Sequence, residues 1–209
     1  MKVIGMNGSP RKDWNCGKAL DFALQGAAAA GAEVKRYDLF DLNFTGCKSC
    51  FGCKRLGGPS FCKCALQDDL TAVLAEILDA DALIVSAPIY YGDVPGAVRN
   101  FYERLLFPAN LYDMSKTGYG KRVNVGLIYT MGAPDPAFNG SLAEKDKQKF
   151  EMFIGETEIL NILDTYQFDD YSQYASAMFD PVAKKQRHET VFPEDCQKAY
   201  EMGMRLVAK

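Results

Sequence analysis

The sequence has a single histidine and a single tryptophan among 209 residues, and no long apolar run. With one histidine, a Ser–His or Cys–His nucleophile has only one base to draw on. That base, His188, sits in the charged stretch KKQRHETVF, where a solvated or capping residue is expected. No apolar run approaches the ~18 residues of a membrane span, and the opening MKVIGMNGSPRK lacks the apolar stretch of a secretory signal. A cytoplasmic protein is expected. A strong charge of either sign is also missing. The net charge of -3 offers no basic face to nucleic acid or anionic lipid, so neither is expected as a partner. Linkers and repeats are lacking too, and the length suits a single domain over 1–209. A chain of this size buries roughly 70% of its extended surface, so disulfides are not needed to stabilise it.

What is present alternates. Residues 2–6 form a short apolar run ending in Asn7-Gly8-Ser9-Pro10, which reads as a buried strand and a turn. Residues 17–31 are rich in Ala and Leu and close on Gly31, as a helix with a glycine cap does. Residues 33–39 alternate and predict a second strand near a sheet edge. Asp68-Asp69 precedes the helical pattern LTAVLAEILDAD, where acidic residues suit a cap. Residues 82–87, ALIVSA, are almost wholly apolar, as in a strand buried on both faces of a parallel sheet. A helix over 94–107, a strand over 122–130, a helix near 143–154 and a strand over 158–167 follow. A polar tail then leads to a final helix from about 194. Strand and helix alternate five times, which predicts a doubly wound α/β sheet with its ligands at the C-terminal edge of the strands.

Three loops fall on that edge. The first, residues 8–18, joins strand to helix and offers Ser9, Arg11, Asn15, Cys16 and Gly17 beside the free amides of a helix start, a setting that favours phosphate. It is not a P-loop, because Gly17-Lys18 is followed by Ala19. It is not a dinucleotide fingerprint, because Gly5, Gly8 and Gly17 are wrongly spaced. The second loop runs from Ser86 through Pro88, Ile89, Tyr90, Tyr91, Gly92 and Asp93. Its backbone can meet the polar rim of a flat heterocycle while its rings cover a face. The third, Thr130-Met131-Gly132, follows the fourth strand. The first loop alone is equally well read as an ordinary turn, and the second and third alone are better read as ordinary loops.

Together, GSPR after the first strand and S-x-P-x-Y after the third resemble the NADPH-dependent FMN reductase and iron–sulfur flavoprotein branch of the flavodoxin-like superfamily. The resemblance covers most of the chain. It implies a three-layer α/β/α sandwich with a five-stranded parallel sheet in the order 2-1-3-4-5. It also implies one FMN, with Ser9, Arg11, Asn15, Cys16 and Gly17 at the phosphate. Pro88, Ile89, Tyr90, Tyr91 and Gly92 would hold the ring edge, with Asp93 close by, and Thr130, Met131 and Gly132 would flank the ring. The family usually has Ser or Thr where this chain has Cys16. A thiol is a weaker donor, so weakened phosphate binding is expected. NAD(P)H is the implied electron donor, and the acceptor is a flavin, a quinone or another small molecule. An electron carrier between protein partners is the alternative. The chemistry belongs to the cofactor, and no side chain is named as a catalytic acid or base. A homodimer or higher homo-oligomer is implied.

Of seven cysteines, five lie between positions 47 and 64. Cys47, Cys50 and Cys53 form C-x-x-C-x-x-C, a spacing that wraps three corners of a cubane cluster. The family resemblance implies a 4Fe–4S cluster, for which Cys62 is the expected fourth ligand and Cys64 a substitute. Zinc and vestigial thiols remain open as readings of this cysteine-rich insertion at 43–67.

Overall fold

The computed structural model describes residues 1–112 and 118–208. Five strands alternate with the helices: β1 (Lys2–Asn7), β2 (Glu33–Asp38), β3 (Ala82–Pro88), β4 (Asn124–Thr130) and β5 (Thr157–Ile162). All pairings are parallel, in the order β2-β1-β3-β4-β5. The expected order and fold class are therefore found. The strands at the centre of the sheet, β1, β3 and β4, are buried nearly throughout, whereas β2 and β5 at the edges are partly exposed.

Alternation along the strands divides the core into two layers. Ile4, Met6, Leu83, Val85, Leu127 and Tyr129 face α2 (Leu70–Asp79), α3 (Gly96–Ala109) and α4 (Leu142–Phe153). In that layer Phe101, Tyr102 and Phe150 are fully buried, and Tyr102 meets Phe150 edge to face at 4.9 Å. Each such ring contributes roughly 1.5–3 kcal/mol by leaving water. Val3, Ala82, Ile84 and Ile128 face the opposite layer, formed by α1 (Asn15–Ala29) and α6 (Phe192–Ala208). Here backbone meets backbone. A Cβ on Gly26 would lie 1.9 Å from the Tyr200 carbonyl oxygen, and one on Gly203 would lie 1.8 Å from that of Ala23. The first and last helices interlock at these two glycines.

The tail departs from expectation. The predicted strand over 158–167 ends at Ile162, because Asp164 adopts φ +50° and its carboxylate pairs with Lys184. The tail also contains a helix that was not expected, α5 (Pro181–Thr190), started by Asp180, whose Oδ1 accepts from the amides of Val182 and Ala183. Lys184, which opens the charged stretch around His188, is buried. His188 is half-buried and stacks against Tyr166 and Phe192. Among the described residues no helix is long and apolar enough to cross a membrane.

Candidate functional site

The register brings Asp38, Asn7, Pro88, Thr130 and Ile162 to one edge of the sheet. At this edge the first loop is held from below. Asn7 donates to Asp38 at 2.6 Å and accepts the Ser9 amide at 3.1 Å. The Ser9 hydroxyl then accepts the Arg11 amide at 3.1 Å. Arg36 on β2 donates to the Lys12 carbonyl at 2.9 Å and to Asp21 on α1 at 2.7 Å. The loop therefore returns so close to α1 that a Cβ on Gly17 would lie 1.6 Å from the Lys12 carbonyl oxygen. Only glycine permits that approach.

The result is a cradle over the first amides of α1, at Asn15, Cys16 and Gly17, which have no partner within the helix. Arg11, Lys12 and Lys18 stand around its exposed side. Asn15 is buried; its Nδ2 donates to the Tyr166 carbonyl at 2.9 Å, while its Oδ1 has no partner. A ligand hydroxyl would satisfy that acceptor, and a phosphate would satisfy the amides. On these grounds the cradle fits FMN.

Cys16 points elsewhere. Its thiol is buried and lies 2.9 Å from the Thr130 hydroxyl, and its carbonyl accepts from Ser86 Oγ at 2.9 Å. Burial pushes the thiol's pKa up to about 12, so at neutral pH it is uncharged. Cys16 thus offers the cradle its backbone amide, while its side chain joins α1 to the tip of β4.

The second loop is a tight reversal. Tyr90 and Asp93 exchange backbone hydrogen bonds of 2.7 and 3.1 Å, and the residues between them, Tyr91 and Gly92, have φ +54° and +77°. That is a turn with both central residues left-handed, a conformation a tyrosine rarely adopts. Tyr91 is wholly exposed and Tyr90 about half exposed. The loop is fixed at both ends: the Ile89 amide donates to the Thr130 carbonyl at 2.9 Å, and the Asp93 carboxylate pairs with Arg99 on α3.

The third loop lies beside them. Met131 and Ile89 wall a cavity of about 240 Å³ shared with Tyr129, Asn139 and Asn161. The Gly132 carbonyl accepts from Lys184 at 2.8 Å. The three expected loops are therefore adjacent at one edge. Sequence reading missed the residues that brace them. Arg11 donates to the Gln167 carbonyl at 2.6 Å, and Trp14 Nε1 to the Tyr166 carbonyl at 2.9 Å, so residues 166–167 close one side of the cradle. Asp180-Pro181 was a readable signal for the helix that carries Lys184, since Asp caps and Pro starts helices. Nothing in the pattern pointed to Asn139 or Asn161.

The cysteines of the insertion border two cavities. Cys47, Cys50, Cys53 and Cys64 line one small cavity with Glu103, Arg104 and Phe107. Cys62 is absent from that cavity and lines a second one, which Cys64 also borders, and its sulfur lies against Gly118. Among the described residues, no three His, Cys, Asp or Glu side chains stand in a metal-holding group. In kind and number, four thiols around one space suit a 4Fe–4S cluster or zinc.

A parallel sheet in this order, with a cradle at the β1–α1 turn and two loops beside it, defines the flavodoxin-like class. Residues 1–133 match the family described as NADPH-dependent FMN reductase, and the chain belongs to it. Membership implies FMN and NAD(P)H. An iron–sulfur flavoprotein of Methanosarcina thermophila is 30% identical over 126 residues, covering 60% of this chain and 63% of that protein. One of Methanocaldococcus jannaschii is 34% identical over 104 residues, covering 50% of this chain and 51% of that protein. The chain thus aligns with half to two thirds of the length of these relatives. Among solved structures, an NAD(P)H:quinone oxidoreductase from Methanothermobacter marburgensis aligns with a TM-score of 0.72 and 16% identity, covering 99% of this chain and 98% of that one. A flavone reductase aligns at 0.66 and 16%, covering 100% of this chain and 62% of that one. At such identity these likenesses show the fold.

Proposed function

We propose that this chain is an FMN-dependent oxidoreductase that takes electrons from NAD(P)H and passes them to a flavin, quinone or similar small acceptor. The observation that carries this reading is the cradle: a glycine-dependent loop closed over the opening amides of α1, with the β3 and β4 loops tied together beside it. FMN, when bound, supplies the hydride and electron chemistry. The protein's residues position it. Ser9, Arg11, Asn15 and Gly17, with the Cys16 amide, hold the phosphate. Pro88 through Gly92 hold the ring edge, with Asp93 anchoring the turn through Arg99, and Thr130, Met131 and Gly132 flank the ring.

The test is a purified protein with a visible flavin spectrum that oxidises NADH or NADPH when a quinone or free flavin is supplied. A colourless protein that fails to take up FMN in titration ends the reading.

A second reading, an iron–sulfur flavoprotein that carries electrons between protein partners, is favoured by the four thiols around one cavity. In this reading Cys47, Cys50, Cys53 and Cys64 hold a 4Fe–4S cluster, and Cys62 does not take part. Iron and sulfide analysis of anaerobically purified protein tests it. Full quinone reduction by iron-free protein would leave the cluster without a necessary role.

A further inference from the structure

Arg104, on α3, has no exposed side-chain surface. Burying a guanidinium costs several kcal/mol unless every donor is used. Here they are used, and all on one segment. Nε donates to the Cys64 sulfur at 2.7 Å. Nη1 donates to the Thr45 carbonyl at 2.9 Å and to Asp68 Oδ2 at 2.7 Å, and Nη2 donates to Asp68 Oδ1 at 3.0 Å and to the Leu66 carbonyl at 3.5 Å. Thr45 lies just before the first cysteine of the cavity and Cys64 is the last, so one side chain fastens both ends of the cysteine-rich insertion.

The orientation within this set is specific. The carboxylate takes the two-pronged end of the guanidinium, and the Nε–H is left for a sulfur. A neutral thiol is a poor acceptor, whereas a thiolate is a strong one. A buried guanidinium N–H aimed at one of four sulfurs that share a cavity is the geometry of a hydrogen bond to a metal-held sulfur.

We infer that Arg104 is a positioning and tuning residue for a thiolate-held iron–sulfur cluster: it fixes Cys64 as the fourth ligand and, with Asp68 as its counter-ion, sets the cluster's reduction potential. The inference rests on the iron–sulfur reading above. Reduction adds negative charge to the cluster and its sulfurs. A cation and a hydrogen bond at one sulfur stabilise the reduced form and raise the potential, and the carboxylate behind the cation partly offsets it.

Two substitutions therefore have opposite signs. The full chain is reconstituted anaerobically with iron and sulfide, and the cluster's midpoint is followed by an EPR-monitored redox titration. Arg104→Met is expected to shift the midpoint to more negative potential. Asp68→Asn, which leaves the cation and removes its counter-charge, is expected to shift it to more positive potential. A purely structural clasp predicts no such reversal, so unshifted midpoints, or two shifts of the same sign, overturn the inference. If Arg104→Met does not fold, Asp68→Asn decides alone: a rise supports the assignment and an unchanged or lowered midpoint removes it. Wild-type protein that takes up no iron overturns the cluster reading itself and the inference with it. Iron present with unmoved potentials overturns only the role of Arg104.

Discussion

The Cys16 thiol and the Thr130 hydroxyl, 114 positions apart, lie 2.9 Å from each other. They join the start of α1 to the tip of β4, so the phosphate cradle and the third loop share one internal fastening. With burial holding the thiol's pKa at about 12, the sulfur is uncharged at any pH near neutral. Cys16 should therefore resist iodoacetamide at pH 8 in the native protein, while the exposed Cys50 reacts. Differential labelling read by mass spectrometry checks this. Native labelling of Cys16 at the rate of Cys50 would show that the thiol is not sequestered.

Gly17→Ala is expected to damage the cradle. The added methyl would strike backbone, which cannot rotate away as a side chain can. The loop must shift to admit it, and FMN affinity should fall at least tenfold, or about 1.4 kcal/mol. Flavin fluorescence titration measures the loss. An unchanged affinity would place the phosphate elsewhere.

Tyr91 occupies a left-handed conformation that costs a non-glycine residue roughly 1–2 kcal/mol. Its ring is wholly exposed, so packing does not compensate. Tyr91→Gly should raise stability by up to about 1 kcal/mol, since glycine gives back part of the gain as unfolded-state entropy. Weaker flavin or acceptor binding should accompany it. Denaturant midpoints and FMN titration test the two halves separately, and a variant both less stable and fully active would contradict the argument.

Glu76 on α2 accepts from Lys35 at 2.8 Å, Tyr37 at 2.8 Å and Lys2 at 3.3 Å, tying β1 and β2 to the helix layer. These donors, Lys35 first, hold its carboxyl pKa at about 2, against an ordinary 4.5. Because the folded value is depressed, the contribution is fully present above pH 4.5 and is lost as pH falls towards 2. Acid titrations of stability should therefore be steeper for the wild type than for Glu76→Gln over that window. Parallel curves would show that the pairing adds nothing.

If the thiols hold metal, the two candidate fourth ligands should separate cleanly. Cys62→Ser should retain iron, because Cys62 does not line the cavity that Cys64 shares with Cys47, Cys50 and Cys53, and Cys64→Ser should lose it. Iron content per chain after anaerobic reconstitution checks this, and the reverse pattern would reassign the ligand.

The parts of the fold that were legible in the sequence are those governed by local rules. β3 could be read from ALIVSA because a central parallel strand is apolar on both faces. The GSPR loop, an ordinary turn by itself, could be read as part of a site only together with S-x-P-x-Y after the third strand. The tail was less legible for a physical reason. α5 is held by a cap and by Lys184, whose buried ammonium pairs with Asp164 and the Gly132 carbonyl, and a charged composition conceals such a role. Likewise Asp68 reads as a helix cap and does accept the Leu70 amide, but its larger partner, Arg104, lies 36 positions away. Cys62 and Cys64 could not be told apart by spacing, since only the folded chain shows which of them borders the cavity of Cys47, Cys50 and Cys53.

The interlocked glycines of α1 and α6 carry a consequence for biogenesis. The helix whose opening turn forms the cradle leans on a helix far along the chain, so its seat on the sheet is complete only when synthesis has passed Gly203. A ligand that needs the aligned cradle then waits for α6 to dock, and a chain broken before Gly203 keeps the three loops yet lacks the brace that aligns them.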